Sequence, residues 1–206
     1  MTPSDHRGWA LVGPLTVALW ILGLGLLTHH QPGEHASGSE ILAWYKAHTD
    51  SILLGGWLFM IGCLGFVVFV AGVGRRLALP VLALTGAAIA AVSGMLTAAV
   101  DVAGGLDKND ITPATAATFH HAVDIFFITA ELTAVLPLAV VAVIAWRTRA
   151  LPRWWAAFSG LVAVVLIIGP IGWIGLIFGV PIWTLGTSLF VLLGSRVRMR
   201  TAAAAA

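Results

Sequence analysis

Charge is scarce in this chain: only 10% of its 206 residues are Asp, Glu, Lys or Arg, against 59% apolar residues. A sequence so poor in charge cannot cover a water-soluble surface, so the chain is read as an integral membrane protein. Cysteine is all but missing. Cys63 stands alone inside an apolar run, which excludes an intramolecular disulfide, a redox pair and a cysteine-rich metal site. No stretch interleaves basic with aromatic residues, so no nucleic-acid partner is expected. There is no HExxH or comparable ligand motif, and no metal or cofactor is expected. An inverted internal repeat is also lacking, and the acids crowd one half of the spans with nothing ionisable in the other half, which weakens a transport path.

What is present is six apolar runs, over residues 8–28, 51–73, 79–102, 118–146, 154–171 and 174–193. About 20 residues at 1.5 Å each cross the ~30 Å hydrocarbon layer, and in lipid such spans must be helices, because an open sheet edge finds no water to bond. The expected fold is therefore all-α, a single domain over residues 1–206 of six transmembrane helices. A cleaved signal peptide fits the first run less well: it is long, only Arg7 precedes it, and no small-x-small site follows.

The connections carry the orientation. Arg7, Arg75, Arg76, Arg147, Arg149, Arg153, Arg196, Arg198 and Arg200 fall on one side of the six spans, and Lys46 and Lys108 on the other. By the positive-inside rule both termini are expected to be cytoplasmic, in a multi-pass protein of the cell membrane. The first outer loop contains Ser37 and Glu40 at capping-box spacing, followed by Ile41, Leu42, Trp44, Tyr45 and His48 at helical intervals. These residues predict a short amphipathic helix on the outer membrane surface, serving as an interfacial anchor or as a lid over a cavity.

Two segments, PGEHASGSEILAWYKAHTDSILLGGWL and RTRALPRWWAAFSGLVAVV, resemble a broad bacterial family of six-span membrane proteins common in actinobacteria and mostly of unknown function. The resemblance implies the fold. It implies no chemistry, because its recurring features are a Ser/Gly-rich loop before a Trp/Tyr helix and a Leu-Pro-Arg-Trp helix start.

The chemistry has to come from the fourth run, which carries His120, His121, Asp124 and Glu131. Each charge near the middle of a membrane helix costs at least ~2.5 kcal/mol, so such residues usually face a bundle interior or a watered cavity. At about 100° per residue His120, Asp124 and Glu131 lie within roughly 40° of one another. On the third run Ser93, Thr97 and Asp101 repeat every four residues as a second polar face, and the short connection makes the two helices antiparallel neighbours. Pro137, which cannot bond the Thr133 carbonyl, predicts a kink.

Several readings compete. The acids could serve helix packing alone, hold an ion through His120, Asp124 and His121 or Asp101, or relay protons in a small transporter. The reading adopted is an enzyme using acid/base chemistry on a lipophilic, isoprenoid-like substrate, a cyclisation or isomerisation of the kind small membrane terpene cyclases perform. Such a reaction needs an acid, a base and a dry aromatic cavity. The deeper Glu131 is expected to be the general acid, Asp124 with His120 the base or orienting pair, and Asp101 an auxiliary at the outer mouth. Trp20, Trp57, Trp173, Trp183, Phe127 and Thr97 are expected to line the substrate site, whereas Trp9, Trp146, Trp154 and Trp155 at span ends read as interfacial belt residues. Membrane lipids and the lipophilic substrate are the expected partners; the sequence does not fix an oligomeric state.

Overall fold

The computed structural model describes residues 5–33 and 35–204, the side chains of 5–10 and 194–204 excepted, so Arg7, Trp9, Arg196, Arg198 and Arg200 lie outside the described side chains. Among the described residues there is no strand. Seven α-helices follow in order: α1 Asp5–Leu27, α2 Gly38–Leu77, α3 Val81–Leu106, α4 Pro113–Thr148, α5 Arg153–Ile167, α6 Gly169–Ile174 and α7 Val180–Ala204, with a π-helical turn at Gly175–Gly179 between the last two. Four helical runs are long and apolar enough to cross a membrane: α2, α3, α4 and Gly169–Leu193. The apolar parts Leu11–Leu27 and Arg153–Ile167 are shorter.

Glycine sets how closely these helices approach. A Cβ built on Gly23 would lie 2.5 Å from the Phe59 nitrogen and 2.8 Å from the Gly55 carbonyl oxygen, so α1 and α2 touch backbone to backbone. Gly65 meets Thr16 further along the same antiparallel pair. Between α3 and α4, Gly86 packs directly against Leu136 and the Thr133 carbonyl. Helix α5 runs antiparallel to the π turn and α7: Gly175 meets Leu166, Gly179 meets Val162, and Gly186 sits under the Trp155 ring. Two indole N–H groups fasten that hairpin, Trp155 to Thr187 and Trp183 to Ser159, each at 3.0 Å. Such close contacts are what holds helices together in lipid, where tails solvate apolar side chains as well as a neighbouring helix does.

Three features differ from the sequence reading. The predicted surface helix is not a separate element: its capping box forms, with Ser37 Oγ accepting from the Glu40 amide and the Glu40 carboxylate from the Ser37 amide, but the helix runs on through a break at His48 (φ −121°, ψ 20°) into the second apolar run. Nor does it lie on lipid, because Ile41, Trp44 and Tyr45 are buried in a cluster with Leu27, Ile52, Ala98 and Ala116 and so cap the bundle end. The last two runs, read as 154–171 and 174–193, meet instead at a single extended residue, Ile168, so that residues 169–171 belong to the second arm of the hairpin, as the start of α6. Trp155, read as a belt residue, is only 5% exposed and packs inside the hairpin, while Trp146 and Trp154 are exposed at the arginine-rich end as a belt requires.

If backbone contact at Gly23 and Gly55 holds α1 to α2, Gly55→Val should lower stability by about 1–3 kcal/mol through overpacking. Gly25→Val, where nothing lies within 4 Å, should change it little. Thermal melting in a mild detergent measures both, and equal melting temperatures for the two variants would contradict the packing described.

Candidate functional site

Helix α4 is apolar on every side, which leaves tertiary packing to decide where its few polar residues point. Gly86 against Thr133 and Leu136 fixes the antiparallel register of α3 and α4, and at equal rise per residue that register puts Asp101 level with His120. Both are buried. Asp101 accepts a hydrogen bond from the Tyr45 hydroxyl at 3.1 Å, delivered by the N-terminal part of α2 that caps this end. Gly104 makes room for it, since a side chain there would run into the Tyr45 ring. The Nδ1 of His120 is buried and has no hydrogen-bond partner among the described residues. Asp124 is within electrostatic range of Asp101 but is exposed at the bundle surface, as is His121. The expected stripe is therefore split: at about 40° from His120 the Asp124 side chain passes the edge of the packed face.

Glu131 is buried at 5% exposure, on the turn that is level with Ala90 of α3. Its carboxylate rests on Gly172 of α6, where a built Cβ would lie 2.7 Å from Oε2, and among the described residues no hydrogen bond reaches it. The residue as a whole is buried, but its carboxylate oxygens are not among the fully enclosed unpartnered side-chain atoms of the described residues, which are Thr16 Oγ1, Trp20 Nε1 and His120 Nδ1, so the group keeps a small opening.

An apolar cavity of about 590 Å³ lies among the helices of the bundle. Its walls come from α1 (Trp20, Leu24, Gly25), α2 (Phe59, Cys63, Phe66), α3 (Ala90, Gly94), α4 (Phe127, Ala130, Ala134) and the π turn with α7 (Leu176, Phe178, Pro181). It opens sideways. Helices α1 and α7 meet at Gly13 and Ser188, and beyond that contact Ile21 on one side and Phe178 and Ile182 on the other flank the gap, all more than half exposed.

Of the residues expected at a substrate site, Trp20 and Phe127 line this cavity. Trp183 is fully buried in the α5–α7 hairpin, and Thr97 is buried with its hydroxyl donating to the Ser93 carbonyl. Trp57 and Trp173 are 61% and 47% exposed on the outward surface. Asp101, His120, Asp124 and Glu131 do not line the cavity, although Glu131 lies between two residues that do, Ala130 and Ala134. No group of three or more His, Cys, Asp or Glu among the described residues is arranged to hold a metal ion. The sequence reading missed the cluster of His29, His30 and His48, whose ring centroids lie 4.1 to 5.9 Å apart at the far end from the arginines. No local signal links His48 to a pair nearly twenty residues earlier. Comparison with protein-family models, with curated proteins and with solved structures found no match, so the resemblance noted above has no family match beside it.

Tyr45→Phe should destabilise the protein by about 1–3 kcal/mol, because Asp101 loses its donor while staying buried. In a double-mutant cycle with Asp101→Asn, melting data should show coupling between the two sites; strict additivity would mean that the hydrogen bond contributes nothing.

Proposed function

We propose that the chain is a six-span protein of the cell membrane, with both termini and the arginine-rich end cytoplasmic, which takes a lipophilic, isoprenoid-like small molecule from the bilayer into this apolar cavity. The observation that carries this reading is the cavity itself: about 590 Å³, apolar, aromatic at Trp20, Phe59, Phe66 and Phe127, and open toward lipid between α1 and α7. A volume of that order suits one small-molecule ligand. An opening in the side of a bundle suits a ligand that partitions into hydrocarbon and would arrive slowly through water. Six spans fit because the shorter α1 and α5 each pair along their length with a longer antiparallel neighbour. The orientation is supported by the arginines, which alternate loop by loop with Lys46 and Lys108.

Acid/base chemistry on the bound molecule, a cyclisation or isomerisation, is the fuller form of this reading. Its support is the position of Glu131 at cavity depth, a carboxyl group with no hydrogen-bond partner among the described residues. Asp101, His120 and Asp124 stand nearer the far end, where they suit a polar mouth. The alternative, a protein that binds the lipophile without transforming it, needs the cavity alone.

Purified protein, extracted with organic solvent and analysed by mass spectrometry, should yield a lipophile in stoichiometric amount. Gly25→Trp, which fills open space in the cavity wall, should lose it. Equal recovery from the two proteins would sink the binding proposal. Glu131→Gln should retain the ligand but abolish its conversion if the chemistry is acid-catalysed. Topology has its own check: with Cys63 removed, cysteines at Ser37 and Asn109 should react with an impermeant thiol reagent on intact cells, and a cysteine at Arg76 should not.

A further inference from the structure

At the opposite end of the bundle from the acids, α4 ends at Thr148 and α5 begins at Arg153, with Arg147, Arg149 and Arg153 gathered on this short turn. No Asp or Glu occurs anywhere after Glu131, and none of the three arginines has a carboxylate partner among the described residues. Arg149 and Arg153 both line an open depression, with Ala150, Leu151 and Pro152 as its floor. The turn is anchored: Leu151 is buried at 7% exposure in the main core cluster, and the Arg149 amide caps α4 by donating to the Ala145 carbonyl. Arg149 itself holds the left-handed conformation (φ 56°), a position that glycine or asparagine normally fills after a helix.

Two tryptophans set the depth. Trp146 and Trp154 are 53% and 62% exposed beside the turn, where indoles mark the boundary between hydrocarbon and headgroups, and the Arg153 guanidinium carbon lies 5.9 Å from the Trp146 ring centroid. Arginine forks match phosphate oxygens, and guanidinium groups beside boundary tryptophans, with no carboxylate partner among the described residues, are placed to meet lipid phosphate.

We infer that the α4–α5 turn is a binding site for the phosphate headgroup of an anionic phospholipid, held by Arg149 and Arg153 with Arg147 beside them. The site is independent of the cavity ligand. It would tie this end of the bundle to the negatively charged leaflet.

Native mass spectrometry of the full chain in a non-ionic detergent, titrated with phosphatidylglycerol or with phosphatidylcholine, tests the inference. A cation beside an anionic membrane surface is worth roughly fivefold in affinity, so Arg149→Gly and Arg153→Gln should each weaken phosphatidylglycerol binding by about that factor, and the double variant by more. Phosphatidylcholine, whose choline cancels the phosphate charge, should bind the wild type more weakly than phosphatidylglycerol does and lose less in each variant. Arg149→Gly keeps the turn geometry, so its melting temperature without lipid should be no lower than that of the wild type, which separates lost binding from lost folding. Lys46→Gln with Lys108→Gln, at the other end, should leave phosphatidylglycerol binding intact. The inference is overturned if the double arginine variant binds phosphatidylglycerol as the wild type does, if the lysine variant loses as much, or if millimolar inorganic phosphate displaces the lipid, which would make the site one for a soluble anion.

Discussion

Direct contact between helix backbones is the constraint on which the rest of this structure depends. Lipid tails solvate leucine or valine as well as another helix does, so association has to come from close approach and a few polar locks. At Gly23 and Gly55, at Gly86 and at Gly13 the side chain is absent where a neighbour comes nearest. The cavity is the complement of that rule. Where α1 and α7 leave the Gly13 contact, the residues flanking the gap become Ile21, Leu24, Phe178 and Ile182, too bulky for backbones to meet, and the space between them stays open.

The polar locks follow a common pattern. Trp155 with Thr187, Trp183 with Ser159 and Tyr45 with Asp101 each join residues on different helical segments, deep enough that water does not compete. Individually such bonds are worth only ~0.6 kcal/mol on average in membranes, so their larger contribution is to register: each holds only if its two helices keep one rotation and one depth. Glu131 has no such partner among the described residues, which sets it apart from Asp101 on the facing helix.

That the chain is helical, with long apolar helices that fit a membrane bundle, was legible because a bilayer sets a length, and length is a one-dimensional property that a sequence displays directly. The Ser37–Glu40 capping box was legible for the same reason, as a local spacing with a local geometry. Rotation about a helix axis was not. On α4 nearly every face is apolar, so periodicity cannot say which side meets α3, and Asp124 ends exposed although it is one turn from buried His120. The role of a tryptophan was equally hidden: Trp154 and Trp155 are neighbours in sequence, yet one faces outward and the other donates to Thr187. The break at His48, the π turn at Gly175–Gly179 and the convergence of His29, His30 and His48 depend on contacts between distant segments, for which the chain carries no local mark.

Glu131 and the cavity also meet in a way that neither feature discloses alone. Ala130 and Ala134 turn one side of α4 toward the cavity, and Glu131, about 100° round from Ala130, turns toward α6. Its carboxylate rests on Gly172, and the next turn of the same continuous helical run is the π segment whose Leu176, Ile177 and Phe178 form a cavity wall. The element that receives the acid and the element that would touch a lipophile are therefore successive turns of one rod. A π turn is a weak place in a helix, and such turns occur often at functional sites. The contact at Gly172 and the cavity wall at Phe178 therefore stand on neighbouring turns of one helical run, although the carboxyl group itself does not line the cavity.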